Sequence, residues 1–280
     1  MTDAFRLSPL AWEPGTRVAL RIEYEGSAFH GWQTQPHRDC DTVQASLEAA
    51  LGQIANRAVR THCAGRTDTG VHGYGQIVHF DDPVGRSAKA WVMGTNSALP
   101  ASIRVHWAQA VPPHFHARFS AISRRYRYVI ANTSVRPAHL ARQVSWYRRP
   151  LDTSLMVDAA QALVGEHDFS AFRAAQCQAH SPVREITDLR VERWNDFVVI
   201  DITANAFLHH MVRNIAGSLQ MIGAGLKPVD WLAQLLAGRD RTKAADTASP
   251  EGLYLVSVDY PEAFNLPPTP EGPAFLSGWV

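Results

Sequence analysis

Apolar and polar residues first fall into a regular pattern at Val18, Leu20, Ile22 and Tyr24, which alternate with Ala19, Arg21 and Glu23. That period of two is the pattern of a strand with one buried face, and it stops at Glu25-Gly26-Ser27. From Asp41 the period changes. Asp41 with Gln44 three residues on predicts a capped helix, and Val43, Leu47, Leu51 and Ile54 recur at helical spacing until Asn56. Strands are expected over Val59–Ala64 and Gln76–Phe80, a second helix over Ser87–Leu99, and a fourth strand at Ile103, Val105 and Trp107. Strand-helix-strand-strand-helix-strand is the split βαβ order of a ferredoxin-like half. Phe119–Ile130 adds a strand in which Arg124, Tyr126 and Tyr128 share one face and Arg125, Arg127 and Val129 the other. Tyr128 is expected in the sheet core.

The second part of the chain echoes this content. A helix capped by Asp152 carries Leu155, Met156, Ala159 and Leu163 inward and stops at Gly165; Ile186–Arg193 and Phe197–Thr203 read as a hairpin around Trp194-Asn195-Asp196. A long helix is expected from about Asn205, with Leu208, Met211, Val212, Ile215, Leu219 and Ile222 as its buried stripe and Gly223 as its stop. Pro228 opens a short helix, and Leu253–Val258 is a last strand. The expected organisation is an N-terminal tail (1–16), an α/β half (17–132), a connection (133–150) and a second α/β half (151–280). The fold class is α+β, with two ferredoxin-like halves and antiparallel or mixed sheets.

Composition narrows the class. The chain has 280 residues, 46% of them hydrophobic, enough for a substantial core. No uninterrupted apolar stretch approaches the roughly 20 residues that span a bilayer, and Met1–Gly15 holds no signal-peptide run. Cys40, Cys63 and Cys177 are odd in number and form no Cys-x-x-Cys pair, so neither a disulfide framework nor a zinc site is indicated. A soluble cytoplasmic chain with no membrane partner is expected. The formal net charge of +1 conceals a cluster: Arg118, Arg124, Arg125, Arg127, Arg136, Arg142, Arg148 and Arg149 lie in a segment without Asp or Glu. This predicts a local basic face suited to nucleic acid.

Candidate chemistry centres on Cys63-Ala64-Gly65-Arg66-Thr67-Asp68-Thr69-Gly70-Val71-His72-Gly73. Asp68 sits on a strand-to-loop turn whose glycines permit tight backbone paths. Arg66, two residues earlier on an extended segment, points to the same side, with a fork that pairs with carboxylate or phosphate. Thr67-Asp68-Thr69-Gly70 contains the Asp-Thr-Gly of aspartic proteases, but those sites share a proton between two carboxylates. The chain has no second Asp-Thr-Gly or Asp-Ser-Gly. His72, His79, His114, His116, His209 and His210 fall in no metal-binding spacing and are expected to be structural or RNA-facing. A non-catalytic RNA-binding module would account for the arginines but leaves Asp68, a carboxylate that repels phosphate, without a role.

Written Gly-Arg-Thr-Asp-x-Gly-Val-His, the Asp68 stretch resembles the signature of the TruA family of tRNA pseudouridine synthases. The resemblance continues through Glu23-Tyr24-Glu25-Gly26, His30-Gly31-Trp32-Gln33, Phe115-His116-Ala117-Arg118-Phe119-Ser120 and Arg124-Arg125-Tyr126-Arg127-Tyr128, then Asn205–Asn214 and Glu251-Gly252-Leu253-Tyr254-Leu255. It thus covers the chain beyond about its first fifteen residues. Thr69 departs from the Ala usual after the aspartate. The resemblance implies a pseudouridine synthase fold with a cleft between the halves. It also implies isomerisation of uridines at positions 38, 39 and 40 of the tRNA anticodon stem-loop by base flipping. Asp68 would be the nucleophile, attacking ribose C1′ or the uracil ring or acting through a glycal. Arg213 would lie against it, Tyr126 would hold the base, Arg66 would fill the space of the flipped nucleotide, and Leu253 would close the apolar wall. No cofactor and no metal are expected, and a homodimer in which one tRNA touches both subunits is.

Overall fold

The computed structural model describes residues 7–35, 40–276 and 278; the first six residues of the expected N-terminal tail lie outside them. Two compact units form. One takes the described residues up to Ile122 together with Leu255–Ala274, and the other takes Ser123–Tyr254 together with the described residues from Phe275 onward. The strand expected to end the N-terminal half is therefore counted with the second unit.

In the first unit β1 (Arg17–Tyr24) leads to α1 (Val43–Ala55), β2 (His62–Cys63) and β3 (His72–Asp81). A π-helical turn (Ala90–Gly94) then runs into α2 (Thr95–Ala98), and β4 (Ile103–Val111) follows. β1 lies between β3 and β4 and is antiparallel to both, while β2 pairs antiparallel with β3. This is the expected split βαβ arrangement. Leu20, Ile22, Leu47, Leu51, Trp91 and Ile103 are buried between the sheet and its helices, each large side chain contributing about 1.5–3 kcal/mol. Two local expectations shift. Thr42 rather than Asp41 caps α1, its Oγ1 accepting the Ala45 N–H at 3.3 Å. The strand expected over Val59–Ala64 pairs only at His62–Cys63.

The second unit begins with β5 (Ser123–Ala131), later than the expected Phe119, and β6 (Ser145–Trp146) pairs parallel with it inside the expected connection. α3 (Thr153–Ala160), β7 (Gly165–Asp168), β8 (Val183–Trp194), β9 (Phe197–Ala204), α4 (Met211–Gly223) and α5 (Trp231–Gly238) follow. Asp152 caps α3 as expected, accepting from the Ser154 N–H at 2.9 Å. The strand order is β5-β9-β8-β7, antiparallel throughout, so β9 lies between β5 and β8 as β3 lies between β1 and β2. α3 packs on α4 and β8, and α4 on β5. Met156, Leu163, Ile200, Ile215 and Leu219 are fully buried. β10 (Leu253–Asp259) starts in this unit and ends in the first, where it neighbours β3.

One carboxylate interrupts the apolar run of β9. Asp201 is 0% exposed and accepts from Arg125 at Nε and Nη2, both at 2.7 Å, and from Arg127 Nε at 2.8 Å. Arg127 stands directly across the ladder from Asp201 and Arg125 lies on the diagonal, both within reach of a cross-strand side chain. The planar forks satisfy the carboxylate in a way that lysine could not. Asp201→Asn should remove the buried charge that the 3%-exposed Arg127 guanidinium faces and cost roughly 3–5 kcal/mol in a urea titration. Removing the exposed Arg190–Asp188 pair by Arg190→Ala should change the same measurement by less than about 1 kcal/mol. Equal effects would contradict this account.

Candidate active site

The backbone around Asp68 is tied down on both sides. Ala64 N–H donates to Ile77 O at 2.8 Å, and the Gln76 side chain spans the next step, donating from Nε2 to Gly65 O at 2.6 Å. Thr67 O accepts from Trp32 N–H at 3.0 Å, Gly70 N–H donates to Phe29 O at 3.3 Å, and Val71 N–H closes the turn on Asp68 O at 3.1 Å. The 29–32 segment fits only because residue 31 is glycine. Its φ is +88°, and a Cβ there would stand 2.8 Å from Thr67 O.

Thr67 turns inward. Its hydroxyl is 2.8 Å from the Tyr24 hydroxyl, and both residues are buried. Tyr24 reaches it by crossing β3 at Gly73, where any Cβ would come 2.3 Å from the ring. With Thr67 facing in, alternation sends Arg66 and Asp68 to the other side, Arg66 exposed and Asp68 half-buried. Thr69 is exposed as well, so the departure from alanine meets no packing constraint. His72, fully buried, accepts the Gly26 N–H at Nδ1 at 2.9 Å, a structural role. Two motifs singled out in the sequence, Glu23–Gly26 and His30–Gln33, thus hold the Asp68 loop.

Tyr126, Arg213 and Leu253 belong to the second unit. α4 starts at Met211 rather than near Asn205, with His210 in the left-handed region (φ 63°) just before it. Leu208 fits the helical stripe by spacing but lies in the irregular run 205–210. That run carries Phe207, whose ring stands T-shaped to that of Tyr126 with centroids 5.0 Å apart, a contact that the periodicity and motifs do not single out. Arg213 is the third residue of α4 and half-buried. Its Nε donates to Ala248 O at 2.8 Å, and the Ala248 N–H returns to Arg213 O at 3.2 Å. Asn214 fixes the same turn: its Nδ2 donates to Phe172 O at 2.7 Å, and its Oδ1 accepts from Thr247 at 2.7 Å and Arg241 at 3.0 Å.

The segment held by Arg213 leads directly to Leu253. Tyr128, fully buried as expected, donates its hydroxyl to Ser249 O at 2.9 Å, and burial pushes that phenol up to about 12. Burial also acts to raise the Glu251 carboxyl, but the Ser249 hydroxyl, its own backbone N–H and the charges of Arg136 and Arg213 outweigh it and hold Glu251 low. Leu253 is 6% exposed at the first position of β10.

The basic cluster is smaller than the sequence suggests. Arg125 and Arg127 are committed to Asp201, and Arg124 is buried with Nη1 donating to Asn205 O at 2.9 Å. Arg118, Arg136, Arg142, Arg148 and Arg149 remain exposed. No helix among the described residues is long and apolar enough to cross a membrane.

The family profile described as tRNA pseudouridine synthase matches residues 21–120 and 159–261. A curated relative named tRNA pseudouridine synthase A from Idiomarina loihiensis is 58% identical over 260 residues, covering 93% of this chain and 99% of its own length. Proteins of the same name from an Enterobacter species and from Pseudomonas aeruginosa are 54% and 56% identical. Those matches cover 97% and 94% of this chain, and 100% and 92% of theirs.

The loop geometry makes two stability predictions. Tyr24→Phe strands a buried Thr67 hydroxyl and should cost about 1 kcal/mol. Gly31→Ala adds positive-φ strain to a clash with Thr67 O and should cost about 1–3 kcal/mol. Urea midpoints check both, and a neutral Gly31→Ala would show that the two segments are not locked together.

Proposed function

The chain belongs to the tRNA pseudouridine synthase family, and on that premise we propose that it isomerises uridine to pseudouridine in the tRNA anticodon arm, at positions 38, 39 and 40, with Asp68 as nucleophile. The observation that carries the reading is the Asp68 loop: its backbone is anchored at each end, with Arg66 exposed and Asp68 half-buried on either side of the inward-facing Thr67.

Uridine and pseudouridine are isomers, so the reaction balances without an oxidant, a reductant or an outside group. The bond from ribose C1′ to uracil N1 breaks, the base turns, C5 bonds to C1′, and the C5 proton leaves as N1 gains one. A carboxylate suits the first step because carboxylates serve as nucleophiles at anomeric carbons. Attack at C1′, attack on the uracil ring and passage through a glycal all remain consistent with this placement. To react, Asp68 must be ionised where water is largely excluded, which calls for a cation to offset desolvation. Arg213 fills that role in this reading.

The target base must leave its stack, at a cost of a few kcal/mol. Tyr126 offsets part of that by stacking, worth about 1–3 kcal/mol, and places its hydroxyl near the C5 proton. Phe207, T-shaped to Tyr126 with centroids 5.0 Å apart, supports the ring. Leu253 closes the apolar wall and Arg66 occupies the gap left in the RNA. In this reading Asp68 and Arg66 belong to a half spanning 17–132 and Arg213 and Leu253 to a half spanning 151–280, joined by 133–150. The enzyme works in the cytoplasm as a homodimer.

Digestion of unmodified tRNA to nucleosides after incubation should reveal pseudouridine at the anticodon arm. Asp68→Asn should abolish conversion yet leave tRNA affinity near normal, since a repelling charge is lost and no phosphate contact is; substantial residual turnover would exclude Asp68 as nucleophile. Arg213→Ala should lose rate more than affinity, and a collapse of affinity instead would reassign Arg213 to RNA binding.

A further inference from the structure

The turn between β4 and β5 presents an aromatic ring that neither the core nor the Asp68 loop uses. Phe119 is 75% exposed, and Ile122 three residues on is 58% exposed. A single exposed apolar residue needs no explanation. This one, however, is mounted on a wired turn. His116 N–H donates to Ser120 Oγ at 2.9 Å, and Ser120 N–H to His116 O at 2.9 Å. His116 Nδ1 accepts from the N–H of Arg118 at 3.1 Å and of Phe119 at 3.3 Å. Beneath the turn, Phe115 is fully buried edge-on to Phe264 at 5.0 Å.

The exposed ring has a defined setting. The His116 ring lies 4.4 Å from that of Phe119, centroid to centroid, and the Arg118 guanidinium carbon lies 5.4 Å from the Phe119 centroid. His116 continues into a row of rings, with His79 at 4.6 Å and His62 stacked on His79 at 5.0 Å. Burial, and after it the neighbouring His62, Arg17 and Arg118, lower the His116 pKa. Of the acids nearby, Asp81 is paired with Arg17 at 2.7 Å, and Asp259 takes the Ile122 N–H on its backbone oxygen at 2.8 Å. Arg66 also belongs to this neighbourhood: burial pushes the Cys63 thiol up to about 12 while Arg66 and Arg118 both act to lower it. A solvent-facing aromatic ring on a hydrogen-bonded turn, beside a guanidinium, fits a nucleobase and its phosphate.

We propose that Phe119, flanked by His116 and Arg118, is a stacking subsite for one unpaired nucleotide of the tRNA substrate other than the uridine that is isomerised, with Arg118 at that nucleotide's phosphate. The proposal rests on the reading of tRNA as substrate. Stacking is sequence-tolerant, so the subsite adds grip without selecting a base.

The test compares Phe119→Trp, which keeps an aromatic face, with Phe119→Leu, which keeps apolar bulk without one. Unmodified tRNA is the probe, and affinity, kcat/KM, kcat and sedimentation are measured. The side chain lies outside the core, so both variants should melt as the wild type does. Phe119→Leu should bind tRNA about tenfold more weakly, with the loss in kcat/KM rather than kcat, and Phe119→Trp should bind within about twofold of wild type. Arg118→Ala should reduce the salt dependence of binding by about one phosphate contact. Wild-type affinity in Phe119→Leu, from a protein whose parent makes pseudouridine, would overturn the subsite and leave the functional reading standing. A wild-type protein that neither binds nor converts tRNA would overturn both. Loss of a dimer in Phe119→Leu, with weaker tRNA binding only as its consequence, would assign the surface to a second copy of the chain and overturn the proposal.

Discussion

The hydrogen bond between the buried hydroxyls of Tyr24 and Thr67 decides which way Asp68 faces. On an extended segment, fixing one side chain to one side sends its two neighbours to the other, and here those neighbours are Arg66 and Asp68. Much of the first unit serves that contact. β1 delivers Tyr24 at its last position, Gly73 leaves room for the ring to cross β3, and Gly31 lets Trp32 approach Thr67 O. The backbone of the Asp68 loop thus takes its position from ties to β1, β3 and the 29–32 segment. Preorganisation of this kind lets a carboxylate meet a substrate without first ordering its own backbone.

The second unit uses arginine in two different ways. Arg125 and Arg127 neutralise Asp201 inside the sheet, where a planar fork can satisfy both carboxylate oxygens. Arg213 instead sits at the first turn of α4, with Nε on the Ala248 carbonyl and its charge reaching Glu251 and Tyr128. That linkage makes the residues leading to Leu253 part of the same construction as Arg213, although the two lie 40 positions apart in sequence. Asn214 and Phe207, which touch the same turn and the Tyr126 ring, complete the support.

Elements set by local periodicity were legible from sequence. β1, the β8–β9 hairpin and the Asp152-capped α3 need only alternation, turn residues and a cap. Where a distant partner decides, the sequence reading failed. The stripe beginning at Leu208 suggests a helix from Asn205, yet the backbone turns left-handed at His210 and α4 begins after it. The arginine run reads as one basic face because Asp201, which takes up two of its members, lies 74 and 76 residues away. The candidate residues Asp68, Arg66, Tyr126, Arg213 and Leu253 were singled out by motif resemblance alone, whereas the Tyr24–Thr67 contact that orients Asp68 required the register of β1 against β3.

With Asp68 as the proposed nucleophile, the C5 proton of a tRNA uridine is lost only after Asp68 has acted. Transfer RNA made with tritium at uracil C5 tests it most directly, because every completed isomerisation must release that hydrogen to water. The wild-type protein should release tritium in step with pseudouridine formed, and Asp68→Asn should release none above buffer. Release by Asp68→Asn at the wild-type rate would contradict the account.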